Sequence, residues 1–280
     1  MKLINIQTDQ GNKTGVMTDA DHFVDVSAAG SVLHIINNAD AHAQAAALAA
    51  NGAAQSLAGV KLSAPITPGK IIAIGLNYSD HAAESGAKPP SKPIVFAKFS
   101  NTLAAHGDTL TWYNDQTPNM DYEAEFGIVI GKTAYRINDA DALSYVGGYV
   151  CANDLSARDL QSGDEGKQWV LGKTLDGTCP IGPCLTTSDE IPDPQSLNIK
   201  CILNGQIMQN SSTAQMIFGT AKLVAYLSHY FTLNAGDLII TGTPPGVGAA
   251  RKPPVWLKDG DTVTIEIEKI GALTNTIRVL

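Results

Sequence analysis

Two glutamates lie at the start of an apolar, strand-like segment, residues 121–130 (DYEAEFGIVI). Side chains two residues apart on a β-strand point to the same face, so Glu123 and Glu125 would share one. Like charges at this spacing destabilise a strand unless a cation lies between them. The segment therefore forms either a strand whose carboxylates hold a metal ion or an edge strand whose solvated glutamates discourage aggregation.

A third carboxylate, Asp154, follows a second apolar segment, residues 145–153 (YVGGYVCAN). If the strand formed by this segment ends beside the first, Asp154 meets Glu123 and Glu125 at one point. Three carboxylates without His or Cys suit a hard, oxygen-seeking cation rather than zinc. The pattern predicts a site for a cation such as Mg²⁺, Mn²⁺ or Ca²⁺.

Composition narrows the class of protein. The chain has 280 residues, 44% of them apolar, which is enough for a large core in one large domain or two unequal ones. Its formal net charge of −8 and lack of a basic run predict no binding to nucleic acid or to anionic membranes. No segment resembles a signal peptide or a membrane span, so we expect a cytoplasmic protein. The four cysteines are too irregularly spaced for a disulfide framework and should be reduced.

The pattern of predicted secondary structure changes near residue 68. Residues 1–67 contain short strand-like runs and an Ala-rich helical stretch at about 40–50, and Pro65 and Pro68 mark a linker. We predict a small N-terminal accessory α+β domain here. Residues 68–280 show many short strands separated by turns, with helical periodicity at 156–161 and 212–231. A mixed α/β, β-rich domain with peripheral helices follows for residues 68–280.

Residues 75–84 (GLNYSDHAAE) predict a strand, a turn and a short helix. On such a helix His81 and Glu84 are neighbours, three positions apart. The carboxylate could then orient the imidazole and raise its basicity, as a general base requires. The alternative is an ordinary surface pair.

Three further segments offer binding groups. If the chain is helical from Asp154, Arg158 and Gln161 face the same way as that carboxylate and place donors beside a metal; alternatively Arg158 only pairs with Asp154. Lys173 follows an apolar stretch and is either a partly buried cation or a surface lysine. Thr243 lies in a Gly/Pro-rich loop, residues 239–248 (IITGTPPGVG), which is either a cradle for a carboxylate or a structural turn.

Together these segments resemble the fumarylacetoacetate hydrolase family, in order, from about Lys70 to the C-terminus. The resemblance is carried by GLNYSDHAAE, the YEAE strand, GGYVCANDLSARDLQ, Lys173 and LIITGTPPGVG. It implies a β-roll catalytic domain, a homodimer, and Mg²⁺ or Mn²⁺ held by Glu123, Glu125 and Asp154. It also implies that His81 and Glu84 lie on a lid that orders over substrate.

Family members of this type cleave 2,4-diketo acids, decarboxylate oxaloacetate or isomerise related enols, and residues 248–257 resemble bacterial 2,4-diketo-3-deoxy-sugar-acid hydrolases. We therefore expect a hydrolase that releases pyruvate from an acylpyruvate or a diketo-deoxy sugar acid. His81, oriented by Glu84, would activate water, and Lys173 would stabilise the developing negative charge. The small keto-acid substrate would be bound by Lys98, Arg158, Gln161 and Thr243. The alternatives are an oxaloacetate decarboxylase, an enol/keto isomerase, and a non-catalytic, metal-stabilised binding protein.

Overall fold

The computed structural model describes residues 1–163 and 167–280 and shows a strand-rich fold with few helices. The strands in chain order are β1 (Lys2–Thr8), β2 (Gly11–Met17), β3 (His22–Asp25), β4 (Gln55–Ser56), β5 (Leu62–Ser63), β6 (Ile71–Gly75), β7 (Ile94–Lys98), β8 (Leu103–Ala105), β9 (Thr109–Trp112), β10 (Met120–Asp121), β11 (Ala124–Ile130), β12 (Val146–Asn153), β13 (Ser156–Ala157), β14 (Cys179–Thr187), β15 (Asn198–Leu203), β16 (Gln206–Ser212), β17 (Leu238–Ile240), β18 (Thr262–Ile267) and β19 (Gly271–Val279). The α-helices are α1 (Val32–Asn37), α2 (Ala39–Asn51), α3 (Ser79–Ser85), α4 (Arg158–Ser162), α5 (Trp169–Gly172) and α6 (Thr220–Ser228).

The described strands form two main sheets. The larger follows the order β4-β3-β2-β1-β14-β12-β11-β17-β6-β7, and the smaller follows β16-β15-β18-β19-β9. One hydrophobic core contains residues of both sheets, including Phe126 and Tyr149 from the larger and Ile199 and Ile265 from the smaller. This mixed, strand-rich architecture is the one predicted from the sequence.

Strands β11 and β12 lie in the middle of the larger sheet and are buried along their whole lengths. Both faces of these strands are covered, which explains why their sequences read as nearly continuous apolar runs rather than as alternating ones. They pair antiparallel with Ala124 opposite Asn153, so the start of β11 meets the end of β12.

Four segments reach the same edge of the larger sheet. β17 runs antiparallel to β11 and parallel to β6. The chain therefore leaves β6, β12 and β17 at the edge where it enters β11. The helix α3 after β6, the loop after β17 and the carboxylates at the ends of β11 and β12 are gathered there.

The N-terminal strands continue the larger sheet, because β1 pairs antiparallel with β14 at Leu3 and Leu185. A second hydrophobic core contains Leu3 and Val24 together with Val150 and Leu185. Residues 1–67 thus share a sheet and a core with the rest of the chain. The boundary at 67/68 remains a prediction.

Two predicted helices begin later than the sequence indicates. The helix expected over 212–231 is α6, Thr220–Ser228, preceded by a 3₁₀ turn at Thr213–Gln215. Asn77 causes part of this difference, because its carbonyl accepts from Ile217 N and its side-chain oxygen accepts from Phe218 N. The helix expected from Ser156 begins at Arg158, because Ser156 and Ala157 pair with β10.

The structure agrees with unpaired thiols: Cys151, Cys179, Cys184 and Cys201 are all buried and free. No helix within the described ranges has the length and apolar character needed to cross a membrane.

Candidate active site

The structure brings Glu123, Glu125 and Asp154 together. One carboxylate oxygen from each lies within 4.8 Å of the others, and all three side chains are buried. Their position follows from the register of β11 and β12, since Glu123 immediately precedes one strand and Asp154 immediately follows the other. The edge-strand alternative is wrong, because β11 is flanked by β12 and β17.

The donor set of this triad fits a divalent metal. Three buried carboxylates provide oxygen ligands and no nitrogen or sulfur ligand, as hard cations prefer. Burial raises the pKa of Glu125 well above its usual range, and the charges of Asp154 and Glu123 raise it further. Burial also opposes ionisation of Glu123, but Lys173 and Arg158 outweigh it and lower the pKa of Glu123 to about 2.

Lys173 and Arg158 provide positive charge beside the triad. The Lys173 ammonium lies 2.6 Å from both Glu123 Oε2 and Asp154 Oδ2, and its side chain is 2% exposed, so the surface-lysine alternative is wrong. Arg158 Nη2 lies 2.7 Å from Glu123 Oε1. Although burial opposes it, the neighbouring carboxylates raise the pKa of Lys173. Both side chains are therefore held as cations.

The partners of Arg158 differ from those considered in the sequence. The guanidinium contacts Asp121 and Glu123 rather than Asp154, and Nη1 donates to Gln161 Oε1 at 2.8 Å. Because the helix begins only at Arg158, Asp154 does not share its face. Arg158 and Gln161 nevertheless lie together at the triad.

Lys98 is placed behind the triad. Its side chain has no exposed area, its Nζ lies 2.8 Å from Asp154 Oδ1, and it donates to the carbonyl of Lys173. The substrate-binding role predicted for Lys98 does not fit this position. The lysine instead supports a candidate metal ligand and the backbone of a neighbouring cation.

His81 and Glu84 form the predicted pair on α3. His81 Nδ1 lies 3.0 Å from Glu84 Oε2, while Glu84 Oε1 accepts a hydrogen bond from Gly246 N at 2.9 Å. Both side chains are partly exposed, at 17% and 28%. Of the charges that lower the pKa of Glu123, those of Lys173 and Arg158 have the larger effects and that of protonated His81 has the smallest. The arrangement can orient an imidazole for proton transfer.

The loop after β17 contacts both the triad and the dyad. Gly242 N donates to Glu125 Oε2 at 2.8 Å, and Gly246 N reaches Glu84. The φ of Gly242 is +91°, and a Cβ there would lie 3.0 Å from the side chain of Asn77, so both conformation and space favour glycine. Thr243 is buried, and its hydroxyl accepts from Gln209 Nε2 at 2.8 Å.

Residues 70–278 match the family described as fumarylacetoacetate (FAA) hydrolase, C-terminal. The chain belongs to the fumarylacetoacetate hydrolase family. It is 48% identical over 232 residues to "Oxaloacetate tautomerase fahd2, mitochondrial" of Xenopus laevis, a match that covers 82% of this chain and 72% of the relative.

Solved structures of fumarylacetoacetate hydrolase family proteins share the fold along the whole chain. The fumarylacetoacetate hydrolase from psychrophilic Exiguobacterium antarcticum superposes with a TM-score of 0.86 at 34% identity and covers 100% of both chains. Maleylpyruvate hydrolase from Sphingobium sp. SYK-6 superposes with a TM-score of 0.84 at 28% identity and also covers 100% of both chains. The predicted membership of the family and its fold class are confirmed.

Sequence reasoning missed two side chains that organise the site. Asp121 accepts from Arg158, and Gln209 accepts from Ala124 N while donating to Thr243. Asp121 carried a signal, since it precedes Glu123 by two residues, as Glu123 precedes Glu125. Gln209 carried none, because its strand β16 belongs to the other sheet.

Proposed function

We propose that this chain catalyses keto–enol tautomerisation of oxaloacetate or a closely related 2-keto acid, assisted by a divalent metal. The observation that carries the proposal is the buried Glu123–Glu125–Asp154 triad, which contacts Lys173 and Arg158 and is joined to the His81–Glu84 dyad by the loop after β17. The oxaloacetate tautomerases among the relatives support the choice of substrate.

Glu123, Glu125 and Asp154 would hold Mg²⁺ or Mn²⁺. When bound, the cation would supply Lewis-acid stabilisation for the enolate form of the keto acid. In the keto-to-enol direction His81 would take a proton from the carbon beside the keto group, and the resulting imidazolium would pass a proton to the enolate oxygen. In the reverse direction His81 would take the hydroxyl proton of the enol and return a proton to that carbon. Glu84 would hold the imidazole in the tautomer that leaves its other nitrogen free to accept this proton. Arg158 and Lys173 would stabilise the substrate's negative charge, with Gln161 and Thr243 as neutral partners.

Hydrolysis of an acylpyruvate, with release of pyruvate, is the second candidate. The 3.0 Å His81–Glu84 pair favours it, because the same unit can deprotonate an attacking water. Maleylpyruvate hydrolase among the structural relatives gives it further support. This is the activity predicted from the sequence, and it uses the same metal site.

A substrate panel separates these functions. Purified protein with Mg²⁺ or Mn²⁺ is given oxaloacetate, acylpyruvates and diketo-deoxy sugar acids, while enol–keto conversion, pyruvate and CO₂ are measured separately. Tautomerisation without pyruvate release supports the first proposal, pyruvate from acylpyruvates supports hydrolysis, and CO₂ from oxaloacetate supports decarboxylation. Turnover that stops on chelation and returns with added metal would exclude a purely binding role.

We further propose a homodimer in the cytoplasm. The resemblance to the family implied the dimer, and light scattering of the purified chain tests it. A monomer across the working concentration range would contradict it. Fractionation of the source cells tests the location.

A further inference from the structure

A buried carboxylate outside the triad holds Arg158 in place. The Asp121 side chain has no exposed area, and its Oδ2 lies 2.9 Å from Arg158 Nε and 2.8 Å from Arg158 Nη2. Nη2 of Arg158 also lies 2.7 Å from Glu123 Oε1, and Nη1 donates a hydrogen bond to Gln161. The guanidinium therefore has one orientation fixed by three side chains.

The same carboxylate binds the loop after β17. Asp121 Oδ1 accepts from Gly248 N at 2.7 Å, and Oδ2 accepts from Ala249 N at 3.0 Å. A Cβ on Gly248 would lie 2.6 Å from Asp121 Oδ1 and 1.9 Å from the carbonyl oxygen of Val255, so this approach requires glycine. Asp121 thus joins the guanidinium to the loop that contacts Glu84 through Gly246.

We propose that Asp121 is a positioning residue, which fixes the Arg158 guanidinium where it binds the anionic end of the keto acid. The inference rests on the proposed function, since it takes Arg158 as a substrate-binding group. It gives Asp121 no contact with substrate or metal. A carboxylate that accepts both the guanidinium and two loop N–H groups cannot be replaced by an amide without directing N–H donors against N–H donors.

A double-mutant cycle on ligand binding tests this role. The probe is oxalate, whose adjacent carboxylates resemble the carboxylate and enolate oxygens of a 2-keto acid, bound to the Mn²⁺-loaded protein and measured by calorimetry. We expect Asp121→Asn to weaken oxalate binding by about 10-fold or more, the scale of one charge-assisted hydrogen bond. In an Arg158→Met background the same change should have almost no further effect, because the group being positioned is gone. Mn²⁺ affinity without oxalate is measured in the same variants, and Asp121→Asn should change it less than it changes oxalate affinity, because Asp121 bonds Arg158 and the loop rather than the triad.

Asp237→Asn is the matched control. Asp237 is also buried, lies 2.6 Å from the Lys70 ammonium and accepts hydrogen bonds from the backbone N of Lys70 and Asn234. It lies just before the start of β17, at the end of that strand away from the site. Asp237→Asn should lower the melting temperature of the protein and leave its oxalate affinity unchanged. Asp121→Ser, which keeps an acceptor for Gly248 N, replaces Asp121→Asn if the latter does not fold.

Equal effects of Asp121→Asn in the wild-type and Arg158→Met backgrounds would overturn the proposal, as would unchanged oxalate affinity in the single variant. Failure of the proposed function is a separate result, seen as absent turnover by the wild type on every keto acid in the panel. The binding cycle does not depend on that turnover.

Discussion

At the scale of single residues, the site is a nearly balanced cluster of buried charges. Among the described residues, the carboxylates exceed the cations by one. The carboxylates are Asp121, Glu123, Glu125 and Asp154, and the cations are Lys98, Arg158 and Lys173. With all four carboxylates ionised, a divalent cation would turn the surplus of one negative charge into a surplus of one positive charge, which suits an anionic substrate. The charges of the cluster therefore favour binding of the metal before binding of the keto acid.

Glu125 makes metal binding depend on pH. Because the pKa of Glu125 is raised, protons compete with the metal for this carboxylate. The affinity for a divalent cation should therefore fall as the pH is lowered through that pKa and reach its full value above it. Because the pKa of Glu125 is raised in the folded state, this residue should also make the metal-free fold less stable as the pH rises from the ordinary glutamate pKa to the raised one, and the full loss should persist above it. Calorimetry with Mn²⁺ in buffers of different ionisation enthalpy should show proton release on binding.

Glu125→Gln should abolish turnover and weaken Mn²⁺ binding, and the remaining affinity should lose this pH dependence. Glu268→Gln, at an exposed residue, is the control and should behave as the wild type. Unchanged metal affinity in Glu125→Gln would remove this carboxylate from the metal site.

Lys98 should matter for the stability of the metal-free fold. Within residues 1–163 and 167–280, Lys98 is the cation paired with Asp154 Oδ1, and Lys98→Met removes it. Breaking a buried ion pair on one side costs about 3–5 kcal/mol. Lys222→Met, which breaks an exposed pair with Asp139, should cost less than about 1 kcal/mol. Urea unfolding of the metal-free proteins measures both free energies. Similar small losses would show that Lys98 is not needed to neutralise Asp154.

At the scale of elements, the sequence predicted strand ends better than helix starts. The apolar runs and the turn residues that bound them predicted correctly that Glu123, Glu125 and Asp154 meet, because the start of β11 lies beside the end of β12. The late start of α6 could not be predicted, since it depends on Asn77, which is distant in sequence and binds Ile217 and Phe218. The alternative in which Arg158 only pairs with Asp154 is wrong, because the helix begins at Arg158 and the guanidinium contacts Asp121 and Glu123.

The dyad on α3 separates reactions that need a base from one that does not. We expect His81→Ala to slow tautomerisation or acylpyruvate cleavage by about 10²-fold or more, whereas any oxaloacetate decarboxylation should fall much less. Decarboxylation needs only an electron sink. Initial rates of the three reactions on one preparation provide the measurement.

His42→Ala removes another histidine paired with a carboxylate, 3.6 Å from Asp189, and should leave all three rates unchanged. Equal loss of every activity in His81→Ala would mean that α3 only closes the site and excludes water. Full retention of tautomerisation and cleavage would exclude His81 as the base.

At the scale of the whole molecule, all four thiols should be reduced and slow to react. Burial raises the pKa of the Cys151, Cys179, Cys184 and Cys201 thiols, which suppresses the reactive thiolate. Thiol counting on denatured, unreduced protein should give four, while the native protein should react far more slowly. Fewer than four in fresh material would contradict the prediction.

The N-terminal segment and the remainder of the chain share one sheet and one core, so we expect them to unfold together. Leu3 is fully buried on β1, opposite Leu185 of β14, and belongs to the core that also contains Val150. Leu3→Ala should therefore cost about 2–5 kcal/mol, as other core Leu→Ala changes do. Leu33→Ala, at a residue that is 36% exposed, should cost much less.

Tryptophan fluorescence shows whether Leu3→Ala also destabilises residues 68–280. All three, Trp112, Trp169 and Trp256, lie after residue 68, so their fluorescence reports unfolding of that part alone. If the protein unfolds as one unit, Leu3→Ala shifts the tryptophan transition and the far-ultraviolet circular dichroism transition together and by the same free energy. If residues 1–67 form an independently folding domain, the tryptophan transition stays where it is in the wild type, and a separate transition appears at lower urea concentration. We expect the coincident shift, because β1 pairs with β14 and Leu3 packs in the same hydrophobic core as Val150 of β12.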